Sequence, residues 1–261
     1  MNLTKIPSKS FYYKAKDEIG YNLFELISAH GGYIAGGAIR AWFADEKIED
    51  YDIFFDSQGD LYQFLIELFD TEEEFLSSKS LGEGYSEHYK VVFNSVNAIS
   101  IVNIKTDVEI QFIKALGRQL SIEKQIKSFD FSVCSAGYDI GKNEFVVHPL
   151  FFDDLKDKRI RVMQNESEML YPLAEIERIA RYSRKGYKIK GIDIVYVILF
   201  IAERMKKVKT YDDFKHEING MDIVLIDGVL EEAKIDGKED FDGMNLFGRI
   251  QEYLETQDNA E

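Results

Sequence analysis

The sequence predicts an α+β fold, with a mixed head over residues 1–165 followed by an all-helical tail over 166–261. Three runs, "HYKVVF" (88–93), "AISIVNI" (98–104) and "VEIQFIK" (108–114), are rich in β-branched and aromatic residues and read as strands. Beyond about Phe151 the pattern becomes helical: Pro172 to Lys185, Asp193 to Lys206, Tyr211 to Ile218, Asp222 to Ala233 and Leu246 to Thr256. Asp193 and Asp222 are expected N-caps and Gly186 a C-cap. At 261 residues the chain has length enough for a substantial core.

The head's other elements follow from local signals. Asp17 to Ser28 is helix-like, Tyr33 to Ala35 a short strand, Ala38 to Ala44 a helix and Tyr51 to Phe55 a strand. Gly59 to Phe69 carries Leu61, Phe64, Leu65 and Leu68 on one helical face. "IEKQIK" reads as a short helix and "EFVVHP" as a strand.

Composition excludes several function classes. A formal charge of −15 opposes broad nonspecific binding to nucleic acid, which needs a basic surface. The single cysteine, Cys134, excludes an intramolecular disulfide, and the four histidines show no zinc spacing. Cys134 is expected to be a small buried hydrophobe, and His148 to pack or cap beside Pro149. The N-terminus lacks the apolar stretch of a secretory signal, and the longest apolar run, Ile194 to Ala202, is too short to span a membrane. The expected compartment is the cytoplasm.

One stretch carries chemistry: "YIAGGAIRAWFADEKIEDYDIFF", Tyr33 to Phe55. Acids two apart are cheap in this chain, since 47 acids in 261 residues give about eight such pairs by chance. Asp50 and Asp52 gain meaning from their strand, where alternate side chains share a face. Two carboxylates side by side repel unless something bridges them, and Mg²⁺ with phosphate oxygens is a suitable bridge. Gly36-Gly37 opens a turn into a helix whose bare N–H groups could hold phosphate, and Arg40 lies within reach of the same anion. Phosphate cradle, cation and metal carboxylates together are the parts of a nucleotidyl-transfer site.

"GGAIR" followed by "DYDIFF" resembles the signature of the polymerase-β-like nucleotidyltransferases, and is most similar to the head of tRNA nucleotidyltransferases and poly(A) polymerases. "FDFSVCSAGYD" (129–139), "HPLFFDDLKDKRIRV" (148–162) and "RIARYSRKGYKI" (178–189) resemble three further elements of that family, in its order. The resemblance covers roughly residues 30–190 and implies a mixed or antiparallel sheet flanked by helices, then a helical neck and body, in a compact form expected in phage genomes. It also implies a third carboxylate on a later strand. Glu109 is the best match, with Asp107 the runner-up.

The resemblance implies Mg²⁺-dependent transfer of NMP from an NTP to a hydroxyl, with an RNA 3′ end as the expected acceptor. Asp50, Asp52 and Glu109 would hold two metal ions; Gly36, Gly37 and Arg40 would hold the triphosphate, helped by Arg178 and Arg181. The basic run from Arg178 to Lys190 is the expected local phosphate strip. A small-molecule or protein acceptor, or a catalytically impaired nucleotide-binding module, are the alternatives. Departures from the family pattern fall on the ribose- and base-reading side: Ala41, Ser128, Phe129 and Cys134 replace family residues. The neck's base-reading carboxylate–arginine pair has no expected counterpart around Tyr171 to Glu175. The chain is also expected to lack a full tRNA-measuring tail.

Overall fold

A computed structural model of the chain describes residues 2–71, 81–95, 97–114, 120–163, 172–209 and 213. The chain divides into two compact units, Met1–Asn165 and Glu166–Glu261.

The first unit is built on an eight-stranded sheet. Its strands are β1 (Thr4–Pro7), β2 (Gly32–Ala35), β3 (Asp50–Phe55), β4 (Tyr89–Asn94), β5 (Ala98–Asn103), β6 (Val108–Ile113), β7 (Ala136–Asp139) and β8 (Glu144–Val147), in spatial order β1-β8-β7-β2-β3-β6-β5-β4. All neighbours run antiparallel except β3 and β6, which are parallel. A parallel pair needs a long crossover, and here it includes a helix and the β4–β5 hairpin.

Period-two burial sorts the two faces of the central strands. Along β3, Tyr51, Ile53 and Phe55 are buried while Asp50, Asp52 and Phe54 are half-buried; along β6, Val108, Ile110 and Phe112 are buried and Glu109 and Gln111 half-buried. The apolar face packs on helices α1 (Lys9–Ile19), α2 (Tyr21–Ala29), α3 (Gly37–Phe43) and α4 (Gln58–Phe69), through residues such as Phe11, Phe24, Ile39 and Phe64. Part of the opposite face is covered by α5 (Ile122–Ser128), whose Ile122 and Ile126 meet Tyr33, Ala35 and Val146.

The structure corrects the sequence reading in several places. A strand at Thr4–Pro7 and a helix beginning at Lys9 precede the first expected helix, and Gly20 divides that helix in two. Gly20 has φ +103°, and a Cβ there would lie 2.2 Å from the Tyr89 hydroxyl, so the break is both conformational and steric. In the second unit, α7 (Pro172–Arg184) and α8 (Gly191–Met205) form as expected, but the two-residue strand Lys188–Ile189 lies between them. Lys190, not Asp193, caps α8; Asp193 sits in its first turn. Gly186 follows α7 at φ +85° and donates to the Ser183 carbonyl at 3.0 Å, a glycine stop of the expected kind. The expected helices at 211–218, 222–233 and 246–256, and Asp222, lie outside the described residues apart from 213. Among the described residues no helix is long and apolar enough to cross a membrane.

Candidate active site

The parallel pairing of β3 with β6 aligns Asp50 with Glu109 and Asp52 with Gln111. Strand neighbours in register are about 4.8 Å apart and direct their side chains to the same side. Asp50, Asp52, Glu109 and Gln111 therefore form one polar patch on the face away from the main core. Gln111 donates its side-chain amide to Glu109 Oε1 at 2.9 Å. Asp107 is not on this strand; it occupies the β5–β6 turn with φ +57°.

The glycine turn closes over the same patch. A Cβ on Gly36 would lie 3.6 Å from Asp52 Oδ2 and 3.6 Å from the Phe129 ring, and one on Gly37 would lie 4.0 Å from Asp50 Oδ1. Gly36 has φ +85°, a conformation that L side chains rarely adopt. Bare backbone thus lies beside two carboxylates, leaving room that a side chain would fill. The Gly36 N–H is already donated to the Ala136 carbonyl at 2.9 Å, so an incoming anion would have to use the N–H groups that follow it at the start of α3.

Arg40 is only 4% exposed, and its guanidinium is hydrogen-bonded to Glu46. It holds the loop after α3 rather than standing open above the patch. Arg178 donates to Glu175 Oε1 at 2.7 Å within α7, and Arg181 is exposed on the same helix. The sequence offers no clean counterpart to the base-reading carboxylate–arginine pair of the family it resembles. In the structure Glu175 and Arg178 form an ion pair three residues apart on this helix, a spacing that brings side chains together.

The element from His148 to Val162, which contains helix α6 (Phe151–Lys156), forms a brace. Asp154, 1% exposed, accepts from Ser132 Oγ at 2.7 Å, from Arg161 Nε at 2.7 Å and from a terminal Arg161 nitrogen at 2.9 Å. Burial pushes the Asp154 carboxyl up, but the Arg161 and Ser132 hydrogen bonds and the charges of Arg161 and Arg159 outweigh it and hold the group below the ordinary carboxylate range. His148 is buried beside this pair, with Nδ1 accepting from the Leu150 N–H at 3.1 Å. Burial lowers its pKa, Asp154 opposes that effect and Arg161 adds to it. Cys134 is buried. Sequence reasoning singled out neither Asp154 nor Arg161, although an acid and an arginine at fixed spacing in the resembling element were the available signal.

Among the described residues no group of three or more His, Cys, Asp or Glu is gathered as a metal cage. The donor set still fits a hard cation. Mg²⁺ is usually held by one or two carboxylates together with substrate phosphates, not by an all-protein cage. Asp50 and Asp52 share a face, and the open glycine turn leaves room for phosphate next to them.

Comparisons with known proteins agree on the fold. Residues 5–158 match the model of a family described as Gabija anti-defense 2 family protein. The curated protein Gabija anti-defense 2 of Bacillus phage SPbetaL7 is 25% identical over 240 residues, covering 92% of this chain and 53% of its own length. Among solved structures, the Thermotoga maritima CCA-adding enzyme complexed with tRNA aligns with a TM-score of 0.53 at 19% identity, covering 90% of this chain and 55% of that one. A CCA-adding enzyme in complex with CTP aligns at 0.52 and 16% identity, covering 97% and 56%. The complex with ATP gives 0.51 and 19%, covering 90% and 56%. The chain spans about half the length of these relatives. At such identities the likeness is one of fold: an α+β arrangement shared with CCA-adding enzymes, with a mixed sheet flanked by helices. With the family model matching more than half of the chain, this protein belongs to the Gabija anti-defense 2 family.

Proposed function

We propose that the protein is a nucleotidyltransferase that moves NMP from an NTP to a hydroxyl and releases pyrophosphate, in the service of countering a host defence. The observation that carries this reading is the polar patch: two carboxylates on one face of β3, Glu109 in register on the parallel β6, and a side-chain-free turn over both aspartates. The family's description and the phage relative support the anti-defence setting. The CTP and ATP complexes of proteins with this fold support NTP as the donor.

In this reading Asp50 and Asp52 would hold Mg²⁺, with Glu109, whose Oε1 accepts from Gln111, as the third carboxylate. Bound there, Mg²⁺ would neutralise phosphate charge and lower the pKa of the attacking hydroxyl. Gly36 and Gly37 admit the triphosphate to van der Waals distance of the aspartates. Arg40, held by Glu46, steadies the turn and reaches phosphate only if that pair opens. Glu175 and Arg178 together offer an acceptor and a donor edge of the sort that selects a base, and Arg181 offers a cation to the acceptor's phosphates.

An RNA 3′ end is the first acceptor proposed, supported by the tRNA complex of the same fold. The second reading, transfer to a small molecule or a protein side chain, is favoured by the net charge of −15. Incubation with each α-labelled NTP, Mg²⁺ and total RNA or host extract separates them. Label in RNA is the expected result, label in protein or a small product supports the second reading, and label in neither contradicts transferase activity.

A further inference from the structure

A cleft of about 510 Å³ opens at the junction of α1 and α2, beside the β5–β6 turn. It is separate from the carboxylate patch: α1 and α2 pack on the apolar face of the sheet, opposite Asp50 and Asp52. Tyr13 and Tyr21 line it, each 66% exposed, a large aromatic surface to leave in water at one place. The ammonium of Lys16 lies 3.9 Å from the centre of the Tyr21 ring and is itself tied to Glu25 and the Tyr12 hydroxyl. Tyr21 is therefore held by its cation contact on one side and exposed on the rest.

The cleft's frame is stiff. Asn103 donates at 3.1 Å to the carbonyls of Glu18 and Ile19 and accepts from the Lys105 N–H at 2.9 Å. Thr106 donates to the Glu18 carbonyl at 2.8 Å, and Tyr89 to that of Ile19 at 2.8 Å. These bonds fix the end of α1 against the β5–β6 turn, so the aromatic wall and the turn keep their spacing. From the turn, Lys105 brings an exposed ammonium with no ion-pair partner among the described residues. From α1, Asp17 brings an exposed carboxylate.

We infer that this cleft binds a nucleotide, free or as one unit of a single strand. The base would stack on Tyr21 or Tyr13, Asp17 would accept from a ribose hydroxyl or base amino group, and Lys105 would pair with the phosphate. Aromatic faces with an exposed carboxylate and an exposed ammonium match the three parts of a nucleotide, and the volume is of the size used for such ligands. The site stands whether or not the carboxylate patch transfers nucleotides.

The test measures binding of AMP, adenosine and a short oligoadenylate to the full chain in EDTA, where metal-dependent binding at the carboxylates is silent. AMP is expected to bind wild type and Asp52→Asn alike, and Tyr21→Ala or Tyr13→Ala to weaken it about tenfold. Lys105→Glu is expected to weaken AMP while leaving adenosine unchanged. Tighter binding of the oligonucleotide than of AMP assigns the site to a strand, and equal binding to a free nucleotide. Three results would overturn the inference: no AMP binding to wild type in EDTA, equal binding to the tyrosine variants, or binding lost in Asp52→Asn.

Discussion

Asp154 lies at 1% exposure with hydrogen bonds from Ser132 and from two nitrogens of Arg161, whereas Asp50 and Asp52 lie half-buried along a strand face beneath a turn with no side chains. The two settings ask different things of one residue type. A carboxylate sealed in with a guanidinium has spent its hydrogen-bonding capacity on the fold. Carboxylates along a strand face, with bare backbone and space beside them, leave room for a ligand to approach. The same stretch of resemblance contains both, so a motif match alone does not say which acids do chemistry.

Removing one partner of the brace should have the largest effect on stability. Arg161→Ala leaves Asp154 buried without its main counter-charge, a loss of about 3–5 kcal/mol, to be read as a lowered urea midpoint. The brace also sets an acid limit. The Asp154 carboxyl is held below its unfolded value of about 3.9. Its contribution is therefore complete above that pH and is lost as pH falls through the lower folded value. Urea midpoints measured from neutral pH downward should show wild type losing stability in that acid range, with Asp154→Asn less stable at neutral pH and flatter there. Equal stability of Asp154→Asn and wild type at neutral pH would reduce the brace to an ordinary surface pair.

Base choice should respond on a smaller scale. Replacing Arg178 by Ala removes half of the Glu175–Arg178 pair, and discrimination among ATP, CTP, GTP and UTP should fall by about 1–3 kcal/mol in kcat/KM ratios. Unchanged ratios would show that the pair only stabilises α7. At the bottom of the scale, Lys47 is an exposed residue in the loop before β3, and Lys47→Ala should change stability by less than about 0.5 kcal/mol and leave turnover intact.

The parts legible in the sequence were those fixed by neighbours in the chain. The Gly36-Gly37 turn, the alternation of Asp50 and Asp52, and the strand around Glu109 follow from φ preference and period-two patterning, and each element formed within a residue or two of its expected bounds. What stayed hidden depends on partners distant in sequence. Arg40 reads as an anion ligand until Glu46 folds back onto it. Gly20 reads as a tolerated helix glycine until Tyr89, far along the chain, occupies the space beside it. The role of Asp154 required knowing that Ser132 and Arg161 meet over it. The Glu175–Arg178 pair was local and readable at helical spacing, but Arg178 was read as a helper for the triphosphate and not as a partner of Glu175.

The contrast between a sealed carboxylate and carboxylates that a ligand can approach is tested most directly at Asp52. Its replacement by Asn keeps size and shape, removes one negative charge from the patch and leaves the brace untouched. Mg²⁺-dependent pyrophosphate release from an NTP, measured beside a thermal melt of the same sample, is the decisive pair of readings. The account predicts release reduced by at least about a hundredfold at an essentially unchanged melting temperature. Near-normal release from a folded Asp52→Asn protein would contradict it.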